Sequence, residues 1–189
     1  MKLVNCTQNS PEWISARSGI PTASNFDKIV TSKGDPSKQR TKYMWQLAGE
    51  RITKKPEESY QNASMIRGTE MQSEAKSLYE IINDVPVQEV GFCLDDTGNY
   101  GASPDGLLGD IGGIEIKCPL LSTHVGYLLD NNIPVDYIQQ VQGNLLVTGR
   151  EYWEFMSYYP NIKPLIIRVH RDIKFIDLLK SELIAFRCV

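Results

Sequence analysis

The chain predicts an α/β (α+β) architecture, with a central mixed β-sheet flanked by helices. Three features point to it. Apolar residues recur at helical spacing as far as Asn83, the period shortens to that of strands between Val87 and Cys118, and helical and strand patterns alternate thereafter. Thr22 or Ser24 is placed to cap a helix that begins near Asn25, with Phe26, Ile29 and Val30 on one face. Residues 31–38 form a polar loop around Gly34-Asp35-Pro36. A helix over residues 38–53 follows, its apolar side including Tyr43, Met44, Leu47 and Ala48, and Lys54-Lys55-Pro56 breaks it. Residues 65–83 keep helical spacing through Met71, Ala75, Leu78, Tyr79 and Ile82. Strands are predicted at residues 87–94, 100–103, 106–108 and 113–118, the last closed by Pro119. Residues 123–129 read as a short helix, 135–147 as a longer one, 151–159 and 165–169 as two more strands, and 173–186 as a helix.

Composition narrows the classes. A chain of 189 residues, 41% hydrophobic and 23% charged, is most simply one domain over residues 1–189, large enough to bury a core without disulfides or a structural metal. No apolar run approaches a membrane span, and the N-terminal residues lack the apolar core of a signal peptide. Cys6, Cys93, Cys118 and Cys188 are too scattered for a Cys-x-x-Cys site and read as reduced thiols of a cytosolic protein. With only His124 and His170 available, zinc enzymes and histidine triads are disfavoured. The net charge of −3 is unevenly spread. Residues 1–60 hold ten Lys/Arg against six acids, residues 61–136 three against twelve, and residues 137–189 seven against five. Cations are expected to gather at the acidic middle and phosphates at the basic first third. A mildly acidic total is compatible with DNA binding when basic surface is focused on one path.

Within that acidic middle, Ser103-Pro104-Asp105-Gly106 is followed by Glu115-Ile116-Lys117. The intervening Gly109-Asp110 and Gly112-Gly113 are hairpin turn residues, so the two motifs are expected at one end of a sheet. Glu115 and Lys117 lie two apart on a strand and leave the same face. Two acids and an ammonium converging there call for a divalent cation, and oxygen ligands suit Mg²⁺ or Mn²⁺. Such a set is equipped to hydrolyse a phosphodiester. Glu-x-Lys alone carries little weight, because Glu74-Ala75-Lys76 repeats it within a helical pattern that reads as a solvated face.

Five blocks in order then resemble a known family. They are Trp13-x3-Arg17-x-Gly19-Ile20-x-Thr22-Ala23-Ser24; Arg67-Gly68-Thr69-Glu70, leading into Ala75 and Leu78-Tyr79-Glu80; Ser103-Pro104-Asp105-Gly106-Leu107; Glu115-Ile116-Lys117-Cys118-Pro119; and Tyr137-Ile138-Gln139-Gln140-Val141-Gln142, followed by Trp153 and Tyr158-Tyr159-Pro160. The chain resembles the phage lambda-type alkaline exonucleases, or YqaJ-like viral recombinase nucleases, of the restriction-endonuclease-like superfamily. The resemblance implies that Asp105, Glu115 and the carbonyl of Ile116 hold Mg²⁺ (or Mn²⁺). It implies that Lys117 positions or activates water, that Gln140 lies near that water, and that Arg17 and Ser24 bind a terminal 5′-phosphate. Ser24 fits a helix cap equally well, and the two roles can coexist. Ser103 either touches the scissile region or shapes its turn. Trp13, beside Arg17, is the aromatic expected nearest DNA, while most of Trp45, Trp153, Tyr158 and Tyr159 are expected in packing. One position departs from the family, where a glutamate is common and this chain has Gln72, an amide that brings no charge. Glu70 and Glu74 lie two positions away and point off that helix face.

The activity so implied is a Mg²⁺-dependent exonuclease that degrades one strand of linear double-stranded DNA from its 5′ end and leaves a 3′ overhang. A homo-oligomeric ring, often a trimer, a single-strand-annealing recombinase as partner, no membrane association, and a phage or prophage protein in the bacterial cytoplasm are implied with it. The alternatives are an endonuclease of the same superfamily and a catalytically weak DNA-end-binding recombination accessory protein.

Overall fold

The structure is a computed structural model that describes residues 1–57 and 63–186, so Cys188 lies outside the described residues. In chain order the elements are β1 (Lys2–Val4), α1 (Pro11–Arg17), a 3₁₀ helix (Ala23–Lys28), α2 (Arg40–Thr53) and α3 (Ala63–Asn83). There follow the strands β2 (Val87–Gln88), β3 (Phe92–Leu94), β4 (Gly101–Ala102), β5 (Gly106–Leu108) and β6 (Gly112–Lys117). After these come α4 (Leu121–Asp130), a second 3₁₀ turn (Val135–Tyr137), α5 (Ile138–Thr148), β7 (Tyr152–Ser157), β8 (Leu165–His170) and α6 (Ile173–Phe186).

The five-stranded sheet runs β2-β5-β6-β7-β8, and a small antiparallel sheet runs β1-β3-β4. Only the central β6·β7 pair of the larger sheet is parallel, which makes it mixed, as predicted. A parallel pair needs a crossover, and α4 and α5 supply it. The alternation of side chains along β6 and β7 then divides the core in two. Ile114, Ile116, Met156 and Tyr158 pack with Ala75 and Tyr79 of α3 on one face. Trp153 and Phe155 pack with Val141 and Leu145 of α5, Phe26, and Leu179 and Leu183 of α6 on the other. Contact on that second face is close: a Cβ on Gly113 would come within 2.3 Å of the Trp153 ring, and one on Gly143 of α5 within 2.5 Å of Phe26. Trp153 and Phe26 are wholly buried, and large aromatics of this kind dominate core energetics.

Four details differ from the pattern-based expectation. The predicted strand 87–94 divides at Gly91, where a Cβ would meet the Cys6 carbonyl oxygen at 2.3 Å, so the chain is pressed against the N-terminal segment and passes from one sheet to the other. The helix expected near Asn25 is 3₁₀, and Thr22 occupies its N-cap position without a side-chain capping bond. Two elements, β1 and α1, escape the periodicity because each is short. The signal for α1 is local instead, with Ser10 accepting from the Trp13 N–H and Pro11 opening the helix. On α2, Ala48 is exposed, and Trp45 is 69% exposed and so not a packing residue.

Candidate active site

The hairpin predicted from the turn residues is present, with Gly106 opposite Ile114 and Leu108 opposite Gly112. Gly109 holds φ +51° in its turn, a left-handed conformation that glycine adopts without steric cost. Asp105 stands one residue before β5, where the β5·β6 ladder ends. There its Oδ2 accepts the Ile116 N–H at 2.6 Å, in place of a ladder partner. The other oxygen, Oδ1, accepts from Gln72 Nε2 at 2.5 Å, so Gln72 of α3 points directly into the site.

Glu115 and Lys117 leave the same face of β6, as their spacing requires, with Lys117 Nζ 2.7 Å from Glu115 Oε1. Gln140 Nε2 donates to the same oxygen at 2.5 Å, and Asn144 Nδ2 donates to Oε2 at 3.1 Å. Glu115 is 2% exposed and Asn144 1%, so this carboxylate is held by three donors inside the fold. The Tyr137 ring lies 5.0 Å from Lys117 Nζ and is itself seated on Phe155, 5.1 Å between centroids.

Charge in this cluster is unbalanced. Burial, and next the neighbouring Glu115, raise the Asp105 carboxyl to about 7 against the pull of Lys117, the Ile116 N–H and Gln72. Burial alone would push the Lys117 ammonium down, but Glu115 and Asp105 outweigh it and hold it above the ordinary lysine range. Lys117 is therefore a positive charge and hydrogen-bond donor to Glu115 in this arrangement. One ammonium against two buried acids leaves negative charge uncompensated, which a divalent cation would relieve. The oxygen-rich donor set fits Mg²⁺ or Mn²⁺. Among the described residues no three His, Cys, Asp or Glu side chains cluster as a ready metal cage. Asp105 and Glu115 would thus be joined by main-chain oxygen and water. It is the Ile116 N–H, not its carbonyl, that meets Asp105 here.

The structure brings Asp105, Glu115, Ile116, Lys117, Gln140 and Gln72 together. Ser103, Trp13 and Arg17 form a second chain of contacts leading to them. Trp13 Nε1 donates to Ser103 Oγ at 3.0 Å and to the Gly91 carbonyl at 3.2 Å, and the Arg17 guanidinium lies 3.9 Å over the Trp13 ring. Burial lowers Arg17 from its ordinary value, partly offset by Tyr43 and Glu50. Ser24 stands apart from this chain, its exposed hydroxyl contacting, among the described residues, Thr22 Oγ1 and Asn25 Nδ2. Glu74 points off the site as expected and accepts from Tyr158 at 2.6 Å. His124 is fully buried between Ser157 and the Lys163 carbonyl, a structural role. His170 contributes its carbonyl to Gln142.

Two residues were not singled out by sequence. Asn144 lies one helical turn beyond Gln140, and that spacing alone could have found it. Gln8 had no such signal. Its Nε2 donates to the carbonyls of Val90 (3.0 Å) and Pro104 (2.7 Å), tying the N-terminal segment to the residue before Asp105. Beside it, a cleft of about 560 Å³ opens between residues 5–9 and α3, with Asp105 and Gln72 in its wall.

Comparison with known proteins gives concordant findings. The model of the YqaJ-like viral recombinase domain matches residues 12–151. The crystal structure of an alkaline exonuclease from Laribacter hongkongensis superposes with a TM-score of 0.86 at 36% identity, covering 94% of this chain and 90% of that one. The same enzyme in complex with dAMP superposes with a TM-score of 0.86 at 37% identity and the same coverage. A phage-related exonuclease from Haemophilus somnus 129PT shares the fold, with a TM-score of 0.72 at 13% identity over 89% of this chain and 92% of that one. No curated protein matches the chain at a significant level.

Proposed function

Because the chain belongs to the YqaJ-like viral recombinase family and has a restriction-endonuclease-like fold, we propose that it is a Mg²⁺-dependent exonuclease of recombination. It acts, as a nuclease domain spanning residues 1–189, on the ends of linear double-stranded DNA. It removes the 5′-ended strand and leaves a 3′ overhang for a single-strand-annealing recombinase, working as a ring-shaped homo-oligomer in a bacterial cytoplasm. The observation that carries this reading is the convergence of Asp105, Glu115 and Lys117 at one end of β6, with Lys117 Nζ 2.7 Å from Glu115.

Asp105 and Glu115, with the Ile116 carbonyl, would hold the cation, which when bound polarises the scissile phosphate and lowers the pKa of water. Lys117 supplies a fixed charge where negative charge develops on the phosphate, a preorganised donor that needs no rearrangement during the reaction. Gln140 orients Glu115 through its Nε2, and its amide oxygen is the atom that would accept a hydrogen bond from the attacking water. Arg17, held over the Trp13 ring, has planar donors that suit a terminal 5′-phosphate, and Ser24 adds a hydroxyl. Ser103, fixed by Trp13, links that end to the cleavage point.

The test is digestion of linear duplex bearing a 5′-phosphate beside a closed circle, both with Mg²⁺. Loss of the linear DNA from its 5′ ends, with the circle intact and no digestion by Asp105→Asn, is expected. Equal cutting of both would assign an endonuclease instead. The uncharged Gln72 amide on Asp105 favours one other reading, an accessory protein that binds ends without cutting them. End binding with no cleavage in Mg²⁺ or Mn²⁺ would establish that reading.

A further inference from the structure

Glu115 is engaged on both oxygens before any ligand arrives. Lys117 and Gln140 donate to Oε1, at 2.7 and 2.5 Å, and Asn144 donates to Oε2 at 3.1 Å. An ionised carboxylate offers about four lone-pair directions, two on each oxygen. Oε1 is therefore filled and Oε2 retains one. We propose that Asn144 is a positioning residue for the cation: it fixes the rotation of the Glu115 carboxylate so that Oε2 is the oxygen presented, and Glu115 binds through that atom alone.

The surroundings support this assignment. Asn144 is 1% exposed on α5, a turn beyond Gln140, so its amide cannot swing into solvent. Its α5 neighbours Val141, Leu145 and Val147 belong to the buried core, which anchors the helix that carries the amide. A neutral donor suits the task better than a second cation would. It steadies the carboxylate without cancelling the negative charge that attracts the ion. Without it, one end of the carboxylate is still tied by Lys117 and Gln140, but Oε2 is free to rotate about that tie. The assignment rests on the proposed function only in taking Glu115 as a ligand of the divalent ion.

The experiment measures Mn²⁺ binding to DNA-free full-length protein, by the electron paramagnetic resonance signal of free Mn²⁺, for wild type, Asn144→Leu and Asn144→Ser. Leucine keeps the volume without a donor. Serine is the gentler change, with a hydroxyl too short to reach Glu115, and keeps the test open if leucine fails to fold. Val147→Ala, which unpacks the same helix without touching Glu115, separates loss of stability from loss of positioning. Orienting partners of metal ligands are worth about 10–100-fold in affinity or activity, and a Mn²⁺ affinity reduced by about that factor is expected for both Asn144 variants. The kcat on linear duplex should fall with KM for DNA ends unchanged, and Val147→Ala should bind Mn²⁺ as wild type does. Wild-type Mn²⁺ affinity in a folded Asn144 variant, or an equal loss in Val147→Ala, would overturn the assignment. Wild-type protein that binds Mn²⁺ but cleaves no DNA would refute the exonuclease reading while leaving this one standing.

Discussion

The two ends of the candidate site are built in opposite ways. At the cleavage end, Glu115 is 2% exposed on the central parallel pair of strands and is held by Lys117, Gln140 and Asn144. At the other end, Arg17 sits on a seven-residue helix, supported by the face of Trp13, and among the described residues it has no ion pair. The first arrangement holds its side chains by bonds within the fold and leaves negative charge for a cation, whereas the second presents a cation with no such tie among the described residues. Backbone pairing imposes the positions of Glu115 and Lys117 on β6, and Asp105, one residue before β5, is fixed to that strand by the Ile116 N–H. A short helix imposes much less, which the proposed recognition of a DNA end would tolerate.

On that contrast, the largest effects come from the sheet. Asp105→Asn should reduce cleavage of linear duplex by about 10³-fold or more, since the loss of one cation ligand removes several kcal/mol of transition-state stabilisation. Binding of DNA ends, measured by fluorescence anisotropy, should persist. The same change should stabilise the metal-free protein. The folded Asp105 carboxyl lies at about 7, above its unfolded value of 3.8, so stability present below about pH 4 is lost as the pH rises to about 7. Thermal melts with chelator should therefore show the variant melting above wild type at pH 8 and level with it near pH 4. Wild type melting higher at pH 8 would contradict the burial and the neighbouring Glu115 charge that together raise Asp105.

Lys117→Met should lower kcat by about 10²–10³-fold with little change in KM, as expected of a fixed donor acting in the transition state. Gln72→Glu sharpens the comparison from the other direction. A third acid beside Asp105 should destabilise the metal-free protein and tighten Mn²⁺ binding by about tenfold, an opposite-charge effect worth about 1.4 kcal/mol. Isothermal titration and chelator melts check both signs.

At the α1 end the effects are smaller and selective. Arg17→Ala should weaken the use of 5′-phosphorylated ends by about 10–100-fold, the range for a charge-assisted hydrogen bond, and leave 5′-hydroxyl ends unaffected. Competition between the two substrates in one reaction reads this directly. Ser24→Ala is expected to be smallest. Ser24 lies inside the 3₁₀ helix that Thr22 opens, and its exposed hydroxyl contacts the Thr22 and Asn25 side chains, so stability should change by less than about 0.5 kcal/mol, and any effect should be confined to phosphorylated ends.

Legibility in the sequence follows the same division. The β5–β6 hairpin was readable because turn glycines and strict alternation are local, and they fix which side chains share a face. Gln140 and Gln72 came from resemblance, and their contacts with Glu115 and Asp105 are tertiary facts that only the fold supplies. Asn144 was missed because a polar residue inside a helical pattern reads as the solvent side, whereas here α5 turns it inward onto Glu115. The break at Gly91 was equally hidden, since it arises from a neighbouring segment pressing on the backbone and not from any local signal. The short α1 had its own marker in Ser10-Pro11, but too few residues for periodicity to register.

Anomalous scattering from crystals grown with Mn²⁺ tests the central claim most directly. A peak within coordination distance of both Asp105 and Glu115, with Lys117 alongside, is expected, and it should vanish in Asp105→Asn. A cleavage-competent crystal with its Mn²⁺ elsewhere, or with these two carboxylates empty, would contradict it.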